Sequence, residues 1–199
     1  MTDSTIQNCR TVNKFGAGAI VYNHSSLEMN NSHIQNCTNA EKYEKGSGGG
    51  IYVYSDGSVV MNSGSTLENC TAVENGGGVY LEGSATLTMN QSSLTGCEAQ
   101  GNGGGVYLES SAKLIMDKSS LTSCEAQGNG GGVYVSSSAS VTMNNSSKLE
   151  NCTATGNGGG AYLNGYNSKL TLNSSTLTGC EAQGDGGGVY LTGYYAVLT

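Results

Sequence analysis

The most reactive side chains in this sequence belong to seven cysteines that recur at an almost constant interval. From the third to the seventh, the spacings are 27, 27, 28 and 28 residues. Thiols can form disulfides, bind soft metal ions or pack as small apolar groups. An odd number leaves at least one thiol unpaired within the chain, and no Cys-x-x-Cys motif is present to chelate a metal. We therefore predict no disulfide framework, no metal site and no cofactor. We predict instead an interior cysteine ladder of Cys9, Cys37, Cys70, Cys97, Cys124, Cys152 and Cys180.

Carboxylates that follow three of the cysteines are the candidates for acid–base chemistry. Cleavage of a polysaccharide needs clustered carboxylates, or a carboxylate beside Arg or Lys, on one face. Glu98, Glu125 and Glu181 share this position, but threonine replaces them in other units, and the sole arginine, Arg10, lies in the first unit. We predict a solvated face without catalysis. A carboxylate pair or a weak Ca²⁺ site formed by Glu98 and Glu125 is the alternative.

A tyrosine follows each glycine triplet and forms the second repeated set. If Val79 and Leu81 point inward, Tyr80 between them points outward. We predict an exterior ladder in which like residues stack. The alternative is a binding surface for glycans or another protein, because a long exposed aromatic patch usually has a partner. The members of this surface ladder are Tyr22, Tyr52, Tyr80, Tyr107, Tyr134, Tyr162 and Tyr190.

Asparagines mark two further repeated positions. The position before each cysteine exchanges Asn with Gly and Ser, which predicts a tight corner with positive φ. Many asparagines also lie in Asn-x-Ser/Thr sequons and would be glycan acceptors in a secreted eukaryotic protein. The other position predicts a hydrogen-bonded corner ladder of Asn30, Asn62, Asn90, Asn144 and Asn173, interrupted by Asp117. The candidate glycan acceptors are Asn23, Asn30, Asn36, Asn69, Asn90, Asn144, Asn145, Asn151 and Asn173.

Short strands must position these residues, because the apolar residues of each unit alternate. Val79 alternates with Leu81, and Leu87 with Met89. A period of two indicates strands with one buried face, and turn residues separate them. Three such strands in 27–28 residues predict one turn of a parallel β-helix. Seven units then predict an all-β solenoid of seven coils in a single domain, residues 1–199.

Composition excludes several other classes of protein. The chain has 199 residues, with 32 glycines, no proline, no tryptophan and 12% charged residues. Chains rich in Gly, Ser, Thr and Asn do not form helical bundles, and no apolar run reaches the ~18 residues of a membrane-spanning helix. The net charge of -7 argues against nucleic acid and anionic membranes as partners.

The repeated unit resembles a known family. The strings NCTA from Asn69 and NGGGVYL from Asn75 resemble right-handed parallel β-helix repeats of the pectate-lyase-like superfamily. They are especially similar to repeats of polymorphic outer-membrane proteins and secreted adhesins. Gly-Gly-Gly-Val-Tyr stands for the Gly-Gly-Ala-Ile element of that family, and Cys-x-Ala for its Phe-x-x-Asn element. The resemblance implies a right-handed β-helix, secretion and display at the cell surface.

One insertion interrupts the repeat. The segment Thr38 to Ser47 lengthens the corner after Cys37 and carries Glu41, Lys42, Tyr43, Glu44 and Lys45. Insertions in repeat proteins form exposed loops, so we expect a charged protrusion suited to specific contact. The histidines, His24 and His33, are expected at the surface.

The two ends of the sequence suggest self-assembly. In the repeat alignment, Met1 and Thr199 both fall on the position of Met89. We expect subunits to stack head to tail into a filament, because open strand edges seek a partner. The alternative is an excerpt of a longer solenoid. The predicted function is a structural, non-catalytic extracellular protein, a filament subunit or adhesin stalk. The alternative is a β-helix that binds or cleaves carbohydrate.

Overall fold

The computed structural model describes residues 1–12, 15–40 and 46–199, and all regular elements within these ranges are β-strands. The strands form four parallel sheets of seven strands each. Each coil contributes one strand to every sheet, and each strand pairs with its equivalents in the coils before and after it. The chain is therefore a parallel β-solenoid of about seven coils, as the repeat predicted.

Two of the sheets carry the tyrosines and the methionines. We call them the tyrosine sheet and the methionine sheet. The tyrosine sheet contains β3 (Ala19–Tyr22), β7 (Ile51–Tyr54), β11 (Val79–Leu81), β15 (Val106–Leu108), β19 (Val133–Val135), β23 (Ala161–Leu163) and β27 (Val189–Leu191). The methionine sheet contains β4 (Ser26–Met29), β8 (Ser58–Met61), β12 (Thr86–Asn90), β16 (Lys113–Asp117), β20 (Ser140–Asn144), β24 (Lys169–Asn173) and β28 (Val197–Leu198).

The other two sheets flank the cysteine corner. We call them the leucine sheet and the alanine sheet. The leucine sheet contains β1 (Thr5–Gln7), β5 (His33–Gln35), β9 (Thr66–Glu68), β13 (Ser93–Thr95), β17 (Ser120–Thr122), β21 (Lys148–Glu150) and β25 (Thr176–Thr178). The alanine sheet contains β2 (Arg10–Thr11), β6 (Thr38–Asn39), β10 (Thr71–Ala72), β14 (Glu98–Ala99), β18 (Glu125–Ala126), β22 (Thr153–Ala154) and β26 (Glu181–Ala182).

The number of strands per coil differs from the prediction, which was three. The fourth strand is the two-residue strand of the alanine sheet, such as β14 between the cysteine corner and the glycine triplet. Two residues cannot display an alternating pattern, so hydrophobic periodicity could not reveal this strand. It pairs with its equivalents in the neighbouring coils, with Ala99 opposite Ala72 and Ala126, and all three alanines are buried.

Like residues lie over like residues in the core. In the methionine sheet, Met89 pairs with Met61 and Met116, and all three side chains are fully buried. Burial alternates along β12, with Leu87 and Met89 inside, as the period of two predicted. Each such side chain contributes roughly 1.5–3 kcal/mol of burial energy. This energy depends on the neighbouring coils, because no single coil can cover its own apolar side chains.

The cysteine corner has the predicted backbone conformation. The residue before each cysteine has a positive φ in all seven coils, between 51° and 64°. A second positive-φ position follows the asparagine corner and holds residues as different as Gln91 (50°) and Lys118 (50°). Neither glutamine nor lysine favours this conformation, so the second position could not be recognised from residue type.

The glycine triplet is required by space as well as by conformation. Gly76 has φ of 66°, a region that side chains rarely adopt. A Cβ on Gly77 would lie 2.3 Å from the Glu98 carbonyl oxygen of the next coil. A Cβ on Gly78 would lie 2.7 Å from the Gly105 carbonyl oxygen and 2.8 Å from the Leu94 side chain. The triplet therefore lets successive coils approach closely at this corner.

The register at the C-terminal end corrects the sequence alignment. Val197 pairs with Lys169 and Leu198 with Leu170, so Thr199 lies beside Thr171, with 3.2 Å between their hydroxyl oxygens. Thr171 belongs to the column of Thr88, and Thr199 therefore does not fall on the Met89 position. The error arose because Val197 was aligned with the inward Leu87, whereas the structure places it one residue earlier, on an exposed position.

Candidate functional site

The tyrosines of the tyrosine sheet form one continuous stack. Consecutive ring centroids are 4.8–5.5 Å apart, and the ring planes lie within 20° of each other. The column arises because strand pairing places each tyrosine directly opposite the next, as in Tyr80 and Tyr107. It lies outside the apolar core, since Val79 and Leu81 on either side of Tyr80 fill the interior. The stacked members are Tyr52, Tyr80, Tyr107, Tyr134, Tyr162 and Tyr190.

Tyr22 does not belong to this stack, contrary to the prediction. Ile20 pairs with Tyr52, whereas Tyr22 pairs with Tyr54 and stacks on it at 5.1 Å. The first tyrosine therefore stands two residues further along its strand and starts a second, shorter stack. Phe15 takes the place opposite Tyr52, with ring centroids 4.1 Å apart. Tyr22 lies six residues after Gly16, whereas Tyr80 lies four residues after Gly76, so the spacing held a signal that the sequence analysis missed.

The tyrosine column is less exposed than the sequence suggested. Tyr52 is 3% exposed and Tyr80 is 8% exposed, because each ring covers the faces of its neighbours. The expected long exposed aromatic face is therefore not present. Stacking of like residues is the role that the geometry supports for these rings.

Tyrosine hydroxyls form hydrogen bonds with the residue that follows the equivalent strand in the next coil. Tyr52 donates a hydrogen bond to Glu82, and Tyr80 donates to the Glu109 carboxylate at 2.5 Å. Further along, the Asn164 amide donates to the Tyr134 hydroxyl at 3.2 Å. These contacts were missed by the sequence analysis. The signal was present, since a polar residue follows the strand in these coils, about 30 residues after its tyrosine.

Burial and the carboxylates change the acidity of these phenols. Burial, then the hydrogen bond to Glu82 and the charge of Glu82, raises the pKa of Tyr52 above its usual range. Burial, followed by the same two effects from Glu109, raises the pKa of Tyr80. The negative carboxylate opposes a second negative charge on the phenolate. Tyr52 and Tyr80 therefore stay protonated at physiological pH.

An aromatic cleft lies where the two stacks run side by side. It is lined by Phe15, Ile20, Tyr22, Tyr52, Tyr54 and Glu82 and has a volume of about 310 Å³. Tyr22 is 53% exposed and Ile20 is 56% exposed, so solvent reaches this part of the aromatic surface. An apolar wall with one carboxylate at its edge has the character of a small ligand site.

The seven cysteines form the predicted ladder. All are free thiols; the middle five are buried and Cys9 and Cys180 are half-buried. The third glycine of each triplet makes room for them, since a Cβ on Gly78 would lie 3.2 Å from the Cys97 sulfur. Contact with the thiols of Cys152 and Cys97, followed by burial, raises the pKa of Cys124. This thiol is consequently protonated and a poor nucleophile.

The carboxylates that follow the cysteines occupy the outer face of the alanine sheet. Glu98 pairs with Glu125, but Thr153 separates Glu125 from Glu181. All three glutamates are exposed, and a shallow groove of about 230 Å³ runs beside Glu125 and Glu181. Within the described residues, no group of three or more His, Cys, Asp or Glu side chains is arranged to hold a metal ion. The absence of catalysis stays a prediction.

Asparagine ladders hold the corners. In the predicted ladder, Asn62 donates to Asn30 at 2.7 Å, Asn90 to Asn62 at 3.1 Å, and Asn173 to Asn144 at 2.8 Å. Asp117 interrupts it and accepts a hydrogen bond from Asn145 instead. A second ladder, which the sequence analysis did not predict, precedes the glycine triplets. In this ladder, the side-chain oxygen of each asparagine accepts a hydrogen bond from the backbone amide of the equivalent residue in the next coil, at 2.6–2.8 Å. Its members are Asn75, Asn102, Asn129, Asn157 and Asp185.

A buried serine ladder was also missed. The Ser92 amide donates to Ser119 Oγ and the Ser119 amide to Ser147 Oγ, both at 3.2 Å. The ladder breaks at Ser65, because one extra residue in that coil lets its amide bond the Asn62 carbonyl instead. Among the described residues, Ser92 Oγ is the one buried side-chain oxygen without a hydrogen-bond partner. Serine is so frequent in this sequence that this column gave no distinct signal.

The remaining candidate residues lie at the surface or outside the described ranges. His24 Nε2 lies 2.8 Å from an Asp56 carboxylate oxygen, and His33 Nδ1 lies 2.8 Å from the Thr66 hydroxyl oxygen. None of the nine sequon asparagines is buried, and their glycosylation stays a prediction.

The insertion after Cys37 is shorter than predicted. Thr38 and Asn39 belong to strand β6, and Gly46 and Ser47 are buried. Its charged residues, 41–45, lie outside the described residues.

Comparison with known families agrees with this geometry. The family model described as "Right handed beta helix region" matches residues 1–140 and 91–198. The chain belongs to this family. The coils of this right-handed β-helix protein carry their side-chain columns along the helix axis. No curated protein and no solved structure matches the chain. In the described part of the chain, no helix has the length and apolar character needed to cross a bilayer.

Proposed function

We propose that this β-helix protein is a rigid, non-catalytic structural element of an extracellular or cell-surface filament or adhesin stalk. The observation that carries the proposal is that side-chain columns continue from coil to coil along the solenoid, with the cysteine column present in all seven coils. Tyrosine rings, asparagines and methionines each lie against their own kind in neighbouring coils. Such columns resist bending and shear, because any displacement between two coils breaks many equivalent contacts together. The resemblance to adhesin and polymorphic outer-membrane protein repeats supports the same role.

The outer faces of the first and the last coil are complementary to one another. Ile6 and Cys9 in the first coil and Leu177 and Cys180 in the last are partly buried side chains that pack against the core on one side. They are of the same types as the residues they would meet in another coil. We propose that subunits stack head to tail, so that the last coil of one pairs with the first coil of the next.

Gly188 provides a sharp test of this stacking. One coil earlier, a Cβ on Gly160 would lie 2.6 Å from the Gly188 carbonyl oxygen and 2.8 Å from Leu177 of the following coil. A Cβ on Gly188 itself meets nothing within 4 Å. Gly188→Ala should therefore leave the isolated chain stable but place a methyl group against any coil that stacks on it.

Electron microscopy with thermal unfolding measures both effects. The unmodified chain should form filaments, whereas Gly188→Ala should give dispersed particles with an unchanged Tm. Particles ~35 Å long from the unmodified chain, which is seven coils at the strand spacing, would overturn head-to-tail stacking. Filaments of undiminished length from Gly188→Ala would also overturn it.

The aromatic cleft favours a second candidate function, carbohydrate binding. Sugar rings pack their C–H faces on aromatic side chains, and a carboxylate such as Glu82 accepts hydrogen bonds from sugar hydroxyls. A panel of soluble polysaccharides tests it. Binding that is lost in Tyr22→Ala and kept in Tyr194→Ala, a tyrosine that is 82% exposed outside the cleft, would favour this function. New reducing ends or unsaturated products would show cleavage.

A further inference from the structure

The alanine sheet ends in two edge strands whose backbone groups are complementary. Strand β2 pairs only with β6, and strand β26 pairs only with β22. Along this sheet, the residue after each cysteine donates its amide to the cysteine carbonyl of the preceding coil, as in the Thr38 amide and the Cys9 carbonyl, 2.9 Å apart. One further step of the same pattern would lead from the Arg10 amide of one copy to the Cys180 carbonyl of another.

The two edge strands carry opposite charges at one register position. Arg10 pairs with Thr38 at one edge of the sheet, and Glu181 pairs with Thr153 at the other. The register between these edges is unbroken, so Arg10 and Glu181 belong to one column. Both side chains are exposed, and within the described part of the chain neither has an ion-pair partner. A second copy in the continuing register would bring Arg10 directly opposite Glu181.

The edge strands of the other three sheets would meet without charges. Every position at which those strands would pair joins two uncharged residues. The inward positions continue the apolar columns, as in Leu177 of one copy over Ile6 of the next. Apolar contact alone therefore does not distinguish this junction from one between two first coils or two last coils. The ionic pair does, because neither of those junctions contains it.

From this register we infer that Arg10 of one copy and Glu181 of another form the ionic pair that selects the head-to-tail register of this β-helix protein. The inference rests on the proposed head-to-tail stacking and adds the two residues that decide which coil faces meet. Opposite charges at directly paired strand positions attract, and like charges there repel. An exposed pair contributes little to the strength of a contact. Its effect is on orientation and on the choice of partner face.

Reversal of one charge at a time tests the pair. Arg10→Glu would place two carboxylates opposite each other at the junction, and Glu181→Arg would place two guanidinium groups there. Each variant should raise the critical concentration for filament formation roughly two- to tenfold. The measurement belongs at about 0.01 M ionic strength, where screening is weak. Circular dichroism should show an unchanged Tm for the single chains, because both side chains are exposed.

Two reversals away from the junction are matched controls. Glu98→Arg changes the net charge by the same amount as Glu181→Arg, and Lys113→Glu by the same amount as Arg10→Glu. Glu98 and Lys113 are exposed, and their strands are paired on both sides. These controls measure the effect of net charge alone and should leave the critical concentration near that of the unmodified chain.

A mixture of the two single variants separates a charge pair from general damage to the interface. A junction between an Arg10→Glu chain and a Glu181→Arg chain joins opposite charges, whereas a junction between identical variants joins like charges. Differently labelled variants should therefore co-assemble into alternating filaments at a critical concentration near that of the unmodified chain. A double variant with both substitutions in one chain should also recover assembly.

The outcomes distinguish this inference from the proposed function. Absence of filaments from the unmodified chain would overturn head-to-tail stacking itself. If the unmodified chain forms filaments and neither reversal changes the critical concentration, the Arg10–Glu181 pair is overturned and the stacking stands. Single variants that assemble poorly and are not restored by mixing would also overturn the pair. Restored assembly in the mixture, with both controls unchanged, would support it.

Discussion

The Tyr80 hydroxyl donates a hydrogen bond to the Glu109 carboxylate, which lies in the following coil at 2.5 Å. The bond joins two coils outside the backbone ladder and fixes the ring within the stack. It also explains why Glu109 can lie half-buried beside an aromatic column, since its charge retains a strong donor.

Removal of this hydroxyl should weaken the fold measurably. Tyr80→Phe should lower the free energy of unfolding by about 1–2 kcal/mol, because the bond involves a charged acceptor. In a double-mutant cycle with Glu109→Gln, the two effects should not add, since both remove one interaction. Tyr194→Phe, at an 82% exposed ring, is the control and should have no effect in urea unfolding. Additive effects would show that the contact contributes nothing.

Alkaline pH should destabilise the β-helix. The folded-state pKa values of Tyr52 and Tyr80 are raised above the ordinary ~10. Their contribution to stability is therefore complete below about pH 10 and is lost as pH rises through the folded-state pKa values. Tyrosinate absorbance and circular dichroism, followed together, should show a group of tyrosines that ionises only as the β signal is lost.

Glu109→Gln is the matched variant for this pH effect. Glutamine keeps an acceptor near Tyr80 but removes the negative charge, so the pKa of Tyr80 should fall and its ionisation should begin at lower pH. Ionisation of all twelve tyrosines as one class, with the β signal intact, would contradict the raised pKa values.

The third glycine of the triplet should be intolerant of a methyl group only where a coil covers it. Gly78→Ala places Cβ 2.7 Å from a backbone oxygen and should cost about 1–3 kcal/mol through overpacking. Gly188→Ala has no neighbour within 4 Å and should be neutral, or stabilising by up to about 1 kcal/mol through the unfolded state. Thermal unfolding of the unassembled chain compares the two; equal losses would refute the steric argument.

Two serines of the buried ladder should respond differently to alanine. Ser119 Oγ accepts the Ser92 amide at 3.2 Å, so Ser119→Ala leaves a buried donor unpaired and should cost about 1–3 kcal/mol. Ser92 Oγ has no partner, so Ser92→Ala should be nearly neutral or stabilising. Chemical denaturation measures both. A larger loss from Ser92→Ala would reverse the assignment of the ladder.

The fold was predictable because the sequence repeats every feature that specifies a coil. Alternation of Val79 with Leu81 predicted the strand, and the exchange of Gly with Asn before the cysteine predicted the positive-φ corner. The nearly constant interval between the cysteines predicted that equivalent residues stack from coil to coil. The two-residue strands could not be predicted from hydrophobic periodicity, because a strand such as Glu98–Ala99 is too short to show a period.

The site was less predictable, because its chemistry depends on contacts between coils. The position of Tyr80 between Val79 and Leu81 gave its outward direction, but its burial and its bond to Glu109 depend on rotamers that pairing sets. The displacement of Tyr22 into a second column depends on backbone register near the start of the chain, where the repeat is irregular. Local sequence contains no measure of the rotamers, whereas the longer spacing from Gly16 to Tyr22 did signal the displacement.

The hydroxyls of Tyr52 and Tyr80 both point toward the coil that follows, whereas the asparagine amides before the glycine triplets donate toward the coil that precedes. The solenoid is consequently polar along its axis, and its two end faces offer different hydrogen-bonding groups. A reversed copy would bring donors against donors at these positions. A filament stacked from such subunits would therefore have a single polarity, and growth rates at its two ends would differ.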